Sequence, residues 1–196
     1  MKSNPNDKLN SPRYDVSKLK AAGEDVFISA FAEIRRPHLV SVGEHIAIDS
    51  GFYLTCGAEL GDYIHIGPGV LIIGGPKGFF KMGHFTNVAL GSRILCGTDE
   101  FLGDSLITAP GIPPEFTKVI TKPVIMENFS NVGANVVVLP GVTLGEGSVV
   151  GACSLVTKNT EPWTIYTGIP ARPVKARPKD KMFEYAKKLG YFKDKK

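Results

Sequence analysis

Aliphatic side chains recur every six residues along most of this 196-residue chain. Three runs share the spacing: Val42, Ile48, Leu54, Leu60, Ile66 and Ile72; Met82, Val88 and Ile94; Ile120, Met126, Val132, Val138, Leu144, Val150 and Val156. Glycine often follows the aliphatic residue, and a small or aliphatic residue often lies four positions after it. Six residues are enough for one short strand and one turn, so this period predicts a solenoid of short coils.

Three six-residue units make one triangular coil, and the inward aliphatic side chains stack on those of the coil below. A single coil cannot bury its own interior, so such a fold is stable only when several coils stack. A β-sandwich is the alternative, but its turns would recur about every 8 to 12 residues. The pattern therefore predicts an all-β coil domain over residues 28–175, with Ile28 and Ile34 in an irregular first coil.

The period is interrupted by a small insertion at residues 74–78 and a large one around residues 101–119. Long irregular insertions in a compact solenoid are usually functional or disordered, and GIPPEF makes this one rigid enough to be ordered. We expect a projecting loop at about residues 99–119, with a plain surface excursion as the alternative. Residues 1–27 are an N-terminal extension, and residues 176–196 form a basic C-terminal region.

In that C-terminal region, residues 179–188 predict a short helix with Met182, Ala186 and Leu189 on one face. Ten lysines and arginines against three acids lie in residues 172–196, whereas the whole chain has a net charge of +4. Charge alone is compatible with nucleic acid, an anionic ligand or solvent. Nucleic-acid binding is not expected, since no aromatic-basic interleaving accompanies the charge.

Composition limits the class of protein further. The 22 glycines and 14 prolines accompany Val, Ile and Leu, which indicates many tight turns in one domain. Cys56, Cys96 and Cys153 lie far apart and in no metal-ligand spacing, which favours reduced thiols and no metal. Residues 1–15 have no signal-peptide core, and no apolar run approaches membrane-spanning length, so a cytoplasmic protein without membrane insertion is expected.

Two late segments, NVGANVVVLPGVTLGEGSVVGACSLVTK at residues 131–158 and YTGIPARPVK at residues 166–175, carry a family resemblance. Across residues 28–175 the chain resembles the hexapeptide-repeat acyltransferases, including the galactoside, maltose and surface-polysaccharide acetyltransferases. The resemblance implies a left-handed parallel β-helix, a homotrimer, and acetyl-CoA as co-substrate. It further implies a sugar or nucleotide-linked amino sugar as acceptor, in bacterial O-antigen or capsule biosynthesis.

In this family, coenzyme A lies in the cleft between neighbouring subunits. The resemblance places its pantetheine contacts near Ala134 and Ala152, with Lys158 near the nucleotide end. Arg172 and Lys175 become candidates for the phosphates, because a cation and a phosphate form a charge-assisted hydrogen bond. The alternative for these two residues is a solvated terminal segment.

The family's catalytic base is missing from its usual position. In the galactoside and maltose type, a histidine at the end of the hexapeptide before the loop takes the proton of the acceptor hydroxyl. Here that hexapeptide is ILCGTD, so the position holds Asp99, followed by Glu100. A carboxylate is a weak base toward an alcohol, whereas an amine attacks with little help. Asp99, with the help of Glu100, is expected to hold the amine or accept its proton late in the reaction, which favours N-acylation of an amino sugar.

His84 is the rival base, because it lies in the coil beneath the loop. A His84–Asp99 pair would restore O-acylation of a saccharide or small hydroxyl compound. The alternative for His84 is a solvated corner residue. A non-catalytic β-helix scaffold is a further alternative, although a scaffold has no reason to keep GIPAR, Lys158 and a loop at Asp99.

Overall fold

The computed structural model describes residues 11–192, and its strands are two to six residues long. In chain order they are β1 (Ala21–Ala22), β2 (Val26–Ile28), β3 (Glu33–Ile34), β4 (Val40–Val42), β5 (Ile46–Ile48), β6 (Tyr53–Leu54), β7 (Gly57–Leu60), β8 (Ile64–Ile66), β9 (Leu71–Ile73), β10 (Phe79–Met82), β11 (Asn87–Val88), β12 (Arg93–Leu95), β13 (Gly97–Asp99), β14 (Val119–Thr121), β15 (Val124–Met126), β16 (Asn131–Val132), β17 (Val137–Val138), β18 (Thr143–Leu144), β19 (Val149–Val150), β20 (Leu155–Val156), β21 (Thr164–Gly168) and β22 (Ala171–Ala176). The helix α1 (Asp180–Lys188) follows them. Within residues 11–192, no helix has the length and apolarity needed to cross a membrane.

The strands form three sheets that run along the length of the domain. Sheet 1 has the order β1-β4-β7-β10-β15-β18, sheet 2 the order β2-β5-β8-β11-β16-β19-β21-β22, and sheet 3 the order β3-β6-β9-β12-β17-β20. Successive strands enter successive sheets, and all pairs within the sheets are parallel except the β21–β22 hairpin. The predicted left-handed parallel β-helix is confirmed, and its first strand begins at Ala21, before residue 28.

The interior of the prism is filled by the aliphatic residues of the six-residue period. In sheet 2, for example, Ile48 pairs with Ile66, Ile66 with Val88, Val88 with Val132, and Val132 with Val150. All five side chains are buried. Because each coil covers the apolar interior of the next, the stack removes from water surface that no coil could bury alone.

The prediction for Ile120 is wrong. Its strand, β14, pairs antiparallel with β13 in a separate two-stranded ribbon, where Ile120 lies opposite Thr98 and remains 36% exposed. The coil resumes only at Val124, which is fully buried. The six-residue spacing to Met126 is therefore a coincidence, since the two ends of the projecting loop pair with each other before the chain re-enters sheet 1.

An aromatic column runs along the corner between sheets 1 and 2. We use this name for His45, Tyr63, Phe85, Phe129 and Trp163, all of which have positive φ. Consecutive rings lie 4.6, 5.0, 5.3 and 5.7 Å apart. Positive φ is uncommon for residues other than glycine, so contacts between the rings must offset its cost.

Helix α1 packs against this column, which confirms the helix predicted at residues 179–188. The ring of Phe183 lies 5.3 Å from the rings of both Phe129 and Trp163, and Ala186 is buried. Leu189, predicted on the same face as Ala186, is instead 52% exposed. The contact is thus mainly aromatic, and the helix follows the rings along the corner.

Candidate functional site

Two cavities open on the outside of the prism. The loop cavity, of about 500 Å³, lies where sheet 3 turns into sheet 1, beside the projecting loop. The helix cavity, of about 1100 Å³, lies on the outer side of sheet 1 and extends to the corner occupied by α1 and the aromatic column. Asp99 lines the first cavity and His84 lines the second.

Asp99 is the last residue of β13 and lies opposite Val119 of β14. Paired residues of an antiparallel ribbon project on the same side, so Asp99 and Val119 share the face that lines the loop cavity. The Asp99 Oδ1 atom accepts hydrogen bonds from the Thr108 hydroxyl at 2.7 Å and the Thr108 backbone N–H at 3.2 Å. Among residues 11–192, no lysine or arginine forms an ion pair with Asp99.

The opposite wall of the loop cavity is the small insertion at residues 74–78. The buried Thr55 hydroxyl accepts hydrogen bonds from the backbone N–H groups of Gly74 and Gly75, at 3.0 and 3.2 Å. A 3₁₀ turn over Gly75–Lys77 then places Lys77 at the cavity. This wall is therefore tied to the coil beneath it, and Lys77 supplies a positive charge on the side of the cavity opposite Asp99.

Glu100, the predicted helper of Asp99, does not line the loop cavity. It is 4% exposed, and its Oε2 atom accepts a hydrogen bond from the Leu102 backbone N–H at 3.2 Å. The backbone N–H of Glu100 donates to the Lys118 carbonyl at 2.8 Å, across the base of the loop. The geometry favours a role for Glu100 in holding the loop together.

The predicted pair between His84 and Asp99 is not formed, because the two residues lie at different corners of the prism. His84 Nδ1 lies 2.9 Å from the Oδ2 atom of Asp62 and 3.0 Å from the Asp62 backbone N–H. In the neutral tautomer protonated at Nε2, Nδ1 accepts from that N–H; in the tautomer protonated at Nδ1, the ring donates to the carboxylate and Nε2 is free to accept a proton. The carboxylate partner of His84 is therefore Asp62, in the preceding coil.

Asp62 also receives hydrogen bonds from the Tyr191 hydroxyl and the Glu44 backbone N–H, both at 2.8 Å. Burial works against the ionised carboxylate, but these bonds and His84 outweigh it and lower the pKa of Asp62. Burial and the bond to Asp62 raise the pKa of Tyr191 to about 12. The Asp62 carboxylate thus stays ionised near neutral pH and ties Tyr191, beyond α1, to the coil.

Two of the predicted coenzyme A residues come together at the corner between sheets 2 and 3. Ala134 and Ala152 lie in adjacent coils there, and the Cys153 N–H donates to the Ala134 carbonyl at 2.8 Å. The β21–β22 hairpin belongs to sheet 2, and in it Arg172 lies opposite Thr167. Both alanines and the exposed basic face of the hairpin therefore belong to the end of the prism formed by the last coils.

Lys175 is on the same hairpin, opposite Ile165, and is exposed. Lys158 lies elsewhere, because it follows β20 and so reaches the corner between sheets 3 and 1. That is the corner from which the projecting loop leaves the coil. The structure of one chain thus groups Ala134, Ala152, Arg172 and Lys175, and places Lys158 along the edge that carries Asp99.

Sequence reasoning missed the residues that hold these side chains. Thr108 contacts Asp99 from nine positions away, inside the aperiodic loop, where nothing in the sequence marks it. Asp62 lies 22 residues before His84, about one coil away. The two residues hold matching positions in adjacent coils, so aligning the coils would have predicted that they are neighbours. Tyr191 lies 129 positions from Asp62, and no local pattern predicts that contact.

Known proteins are similar to this chain in sequence and in architecture. A family model described as bacterial transferase hexapeptide (six repeats) matches residues 123–158. The dTDP-4-amino-4,6-dideoxy-D-glucose acyltransferase of Escherichia coli is 32% identical over 164 residues, or 82% of this chain and 83% of that protein. The galactoside O-acetyltransferase of Escherichia coli strain K12 is 28% identical over 163 residues, or 79% of this chain and 69% of that protein.

A solved structure supports the same relationship. AntD, an N-acyltransferase from Bacillus cereus in complex with dTDP and 3-hydroxybutyryl-CoA, superposes with a TM-score of 0.85 at 30% identity. The superposition covers 92% of this chain and 97% of that chain. Fold and relatives together define an acyltransferase built on a left-handed β-helix, so a non-catalytic scaffold is not supported. The chain belongs to the hexapeptide-repeat acyltransferases, as the two late segments predict.

Proposed function

We propose that this enzyme transfers an acyl group, acetyl or slightly longer, from acyl-CoA to the amine of a nucleotide-linked amino sugar. The observation that carries the proposal is Asp99, a carboxylate in the loop cavity at the position where a histidine serves the O-acetyltransferases. Its Oδ1 atom is held by Thr108, and its Oδ2 atom has no partner among residues 11–192. The similarity to the Escherichia coli dTDP-4-amino-4,6-dideoxy-D-glucose acyltransferase and to AntD, an N-acyltransferase, supports an amine acceptor.

The chemistry needs only a modest base. The neutral amine attacks the thioester carbonyl, the new C–N bond forms, and the C–S bond breaks to release the coenzyme A thiolate. The nitrogen then loses one proton to Asp99 Oδ2, from which it passes to the thiolate or to solvent. A neutral amine is a stronger nucleophile than a neutral hydroxyl and attacks without first losing a proton. A carboxylate that takes the proton late is therefore sufficient.

For the co-substrate, we propose that the corner of Ala134 and Ala152 contacts the pantetheine arm and that Arg172 and Lys175 contact the phosphates. Ala152 is exposed and Ala134 is partly exposed at this corner, and both cations are exposed on the adjoining hairpin. Lys158, on the loop edge, is proposed to face the nucleotide end of coenzyme A from a neighbouring subunit. Isothermal titration with coenzyme A tests this assignment, because Arg172→Ala should weaken binding and an unchanged affinity would contradict it.

A homotrimer is also proposed, and the exposure of the loop supports contact between copies. Phe101 and Leu102 are 73% and 88% exposed, which is unusual for large apolar side chains unless a partner covers them. We propose that the loop contacts a neighbouring copy and brings Asp99 to that copy's coenzyme A corner. Light scattering should give the mass of three 21.1 kDa chains, and a monomer that remains fully active would contradict the arrangement.

The setting proposed for the reaction is the cytoplasm, in the synthesis of a bacterial surface glycan. Nucleotide-linked sugars and acyl-CoA are both cytoplasmic metabolites, and the three cysteines are free thiols. Deleting the gene should remove an N-acylated sugar from the surface polysaccharide. Unchanged glycan composition in the deletion strain would contradict the assignment.

The acceptor is tested with a matched pair of nucleotide sugars, one carrying an amine and the other a hydroxyl at the same carbon. Release of free coenzyme A from acetyl-CoA is followed with each. We expect turnover with the amine and at least a hundredfold less with the hydroxyl, on the order of the contribution of a well-matched general base. Preference for the hydroxyl compound would overturn the proposal.

O-acylation is the second candidate, and the His84–Asp62 contact is the observation that favours it. A carboxylate that orients an imidazole through Nδ1 leaves Nε2 available as a base, and this side of the ring has no partner among the described residues. If the amine is the acceptor, His84→Ala should keep turnover within about twofold, because surface changes away from a site have small effects. A fall of a hundredfold or more on a hydroxyl acceptor would establish O-acylation instead.

A further inference from the structure

Thr108 is the only residue in the described part of the chain whose side chain and backbone both hold the Asp99 carboxylate. We propose that Thr108 is a positioning residue, which fixes the orientation of Asp99 for the proton transfer. The inference rests on the proposed function of Asp99. It assigns to the projecting loop the role of holding the Asp99 carboxylate of the same chain in place.

The geometry supports a directed contact. The hydroxyl and backbone N–H of Thr108 converge on Oδ1, at 2.7 and 3.2 Å, and leave Oδ2 to the cavity. Since no described cation pairs with Asp99 and its cross-strand neighbour Val119 is apolar, Thr108 supplies the polar contacts of this carboxylate.

Thr108 is held in place by contacts that do not involve Asp99. Two residues before it, the Leu106 N–H donates to the Phe116 carbonyl at 2.8 Å, and Leu106 forms a bridge with Thr117. After it, the Ile112 N–H donates to the Ala109 carbonyl at 3.2 Å and closes a turn. The two limbs of the loop are therefore joined just before Thr108 and a turn follows it, so the loop conformation determines where the carboxylate points.

The test is Thr108→Val, which keeps the shape of the side chain and removes the hydroxyl donor. We expect kcat with the amino-sugar nucleotide to fall about tenfold, in line with the loss of one hydrogen bond to a charged group. The KM for acetyl-CoA should not change, so the loss should appear in kcat alone. Thr108→Ser, which restores the hydroxyl, should recover most of kcat.

Thr117→Val is the matched control in the same loop. Its hydroxyl donates to the Pro114 carbonyl at 3.0 Å and does not contact Asp99. This variant should keep the wild-type kcat. A wild-type kcat for Thr108→Val, equal losses in both valine variants, or failure of Thr108→Ser to recover kcat would each overturn the inference.

Failure of the inference is distinguishable from failure of the proposed function. If Asp99→Asn abolishes turnover while Thr108→Val is unaffected, Asp99 keeps its role and only the positioning role of Thr108 is wrong. If Asp99→Asn turns over at the wild-type rate, the proposed function of Asp99 is wrong, whatever Thr108→Val does. Thermal melting of each variant identifies any loss of rate that comes from unfolding.

Discussion

Asp99→Asn is expected to lower turnover with an amino-sugar nucleotide by about 10²- to 10⁴-fold, the usual contribution of a positioned general base. Asparagine has nearly the same shape, and its amide oxygen can still accept the hydrogen bonds from Thr108. The amide nitrogen that replaces the Oδ2 atom cannot accept a proton. The nitrogen of the acceptor must then release its proton to water, while the affinity for coenzyme A, which other residues are proposed to hold, should not change.

The measurement is the rate of coenzyme A release, together with calorimetry for coenzyme A affinity and thermal melting for folding. Asp104→Asn is the matched control, because Asp104 is an exposed aspartate of the same loop, with its carboxylate 4.0 Å from the Lys118 ammonium. That variant should behave as wild type. Undiminished turnover by Asp99→Asn would remove Asp99 from the reaction.

The fold was predictable because the pattern is repeated and the physical requirement is simple. The strands of the coils present the aliphatic side chain of the six-residue period to the interior, so phase alone identifies Ile48, Ile66 and Val132 as buried. Ile120 shows the limit of that reasoning. A residue in phase with the repeat leaves the coil when another pairing is available, here the ribbon that joins the ends of the loop.

The site was predictable only where it is tied to the repeat. Asp99 ends a hexapeptide, so its place beside the loop follows from counting. Thr108 lies in an insertion without period, and its contact with Asp99 depends on how two limbs of that loop join. The His84–Asp62 contact joins adjacent coils, and the 74–78 insertion obscures it by lengthening the coil between them.

The aromatic column makes Phe129 the residue whose truncation should most reduce stability. Its ring lies 5.3 to 5.7 Å from the rings of four residues, namely Phe85, Trp163, Phe183 and Phe192. Its carbonyl also accepts a hydrogen bond from Arg177 at 2.7 Å, and burial lowers the pKa of that guanidinium. Phe129 therefore joins the column to the C-terminal segment by both ring and backbone contacts.

Phe129→Ala should lower the free energy of unfolding by about 3 to 5 kcal/mol, because it removes a buried ring and leaves a cavity that four rigid neighbours cannot fill. Alanine also tolerates positive φ poorly, so the backbone at this corner gains nothing from the smaller side chain. Urea denaturation at one fixed protein concentration measures the loss, since association of subunits contributes to apparent stability.

The control is Leu189→Ala. Leu189 lies at the C-terminal end of α1 and is 52% exposed, so its truncation should lower the free energy of unfolding by no more than about 0.5 kcal/mol. Equal costs for the two variants would mean that α1 is not held by the aromatic column. The expected difference instead places the anchor of the C-terminal segment at Phe129, two coils beyond Asp62 and its contact with Tyr191.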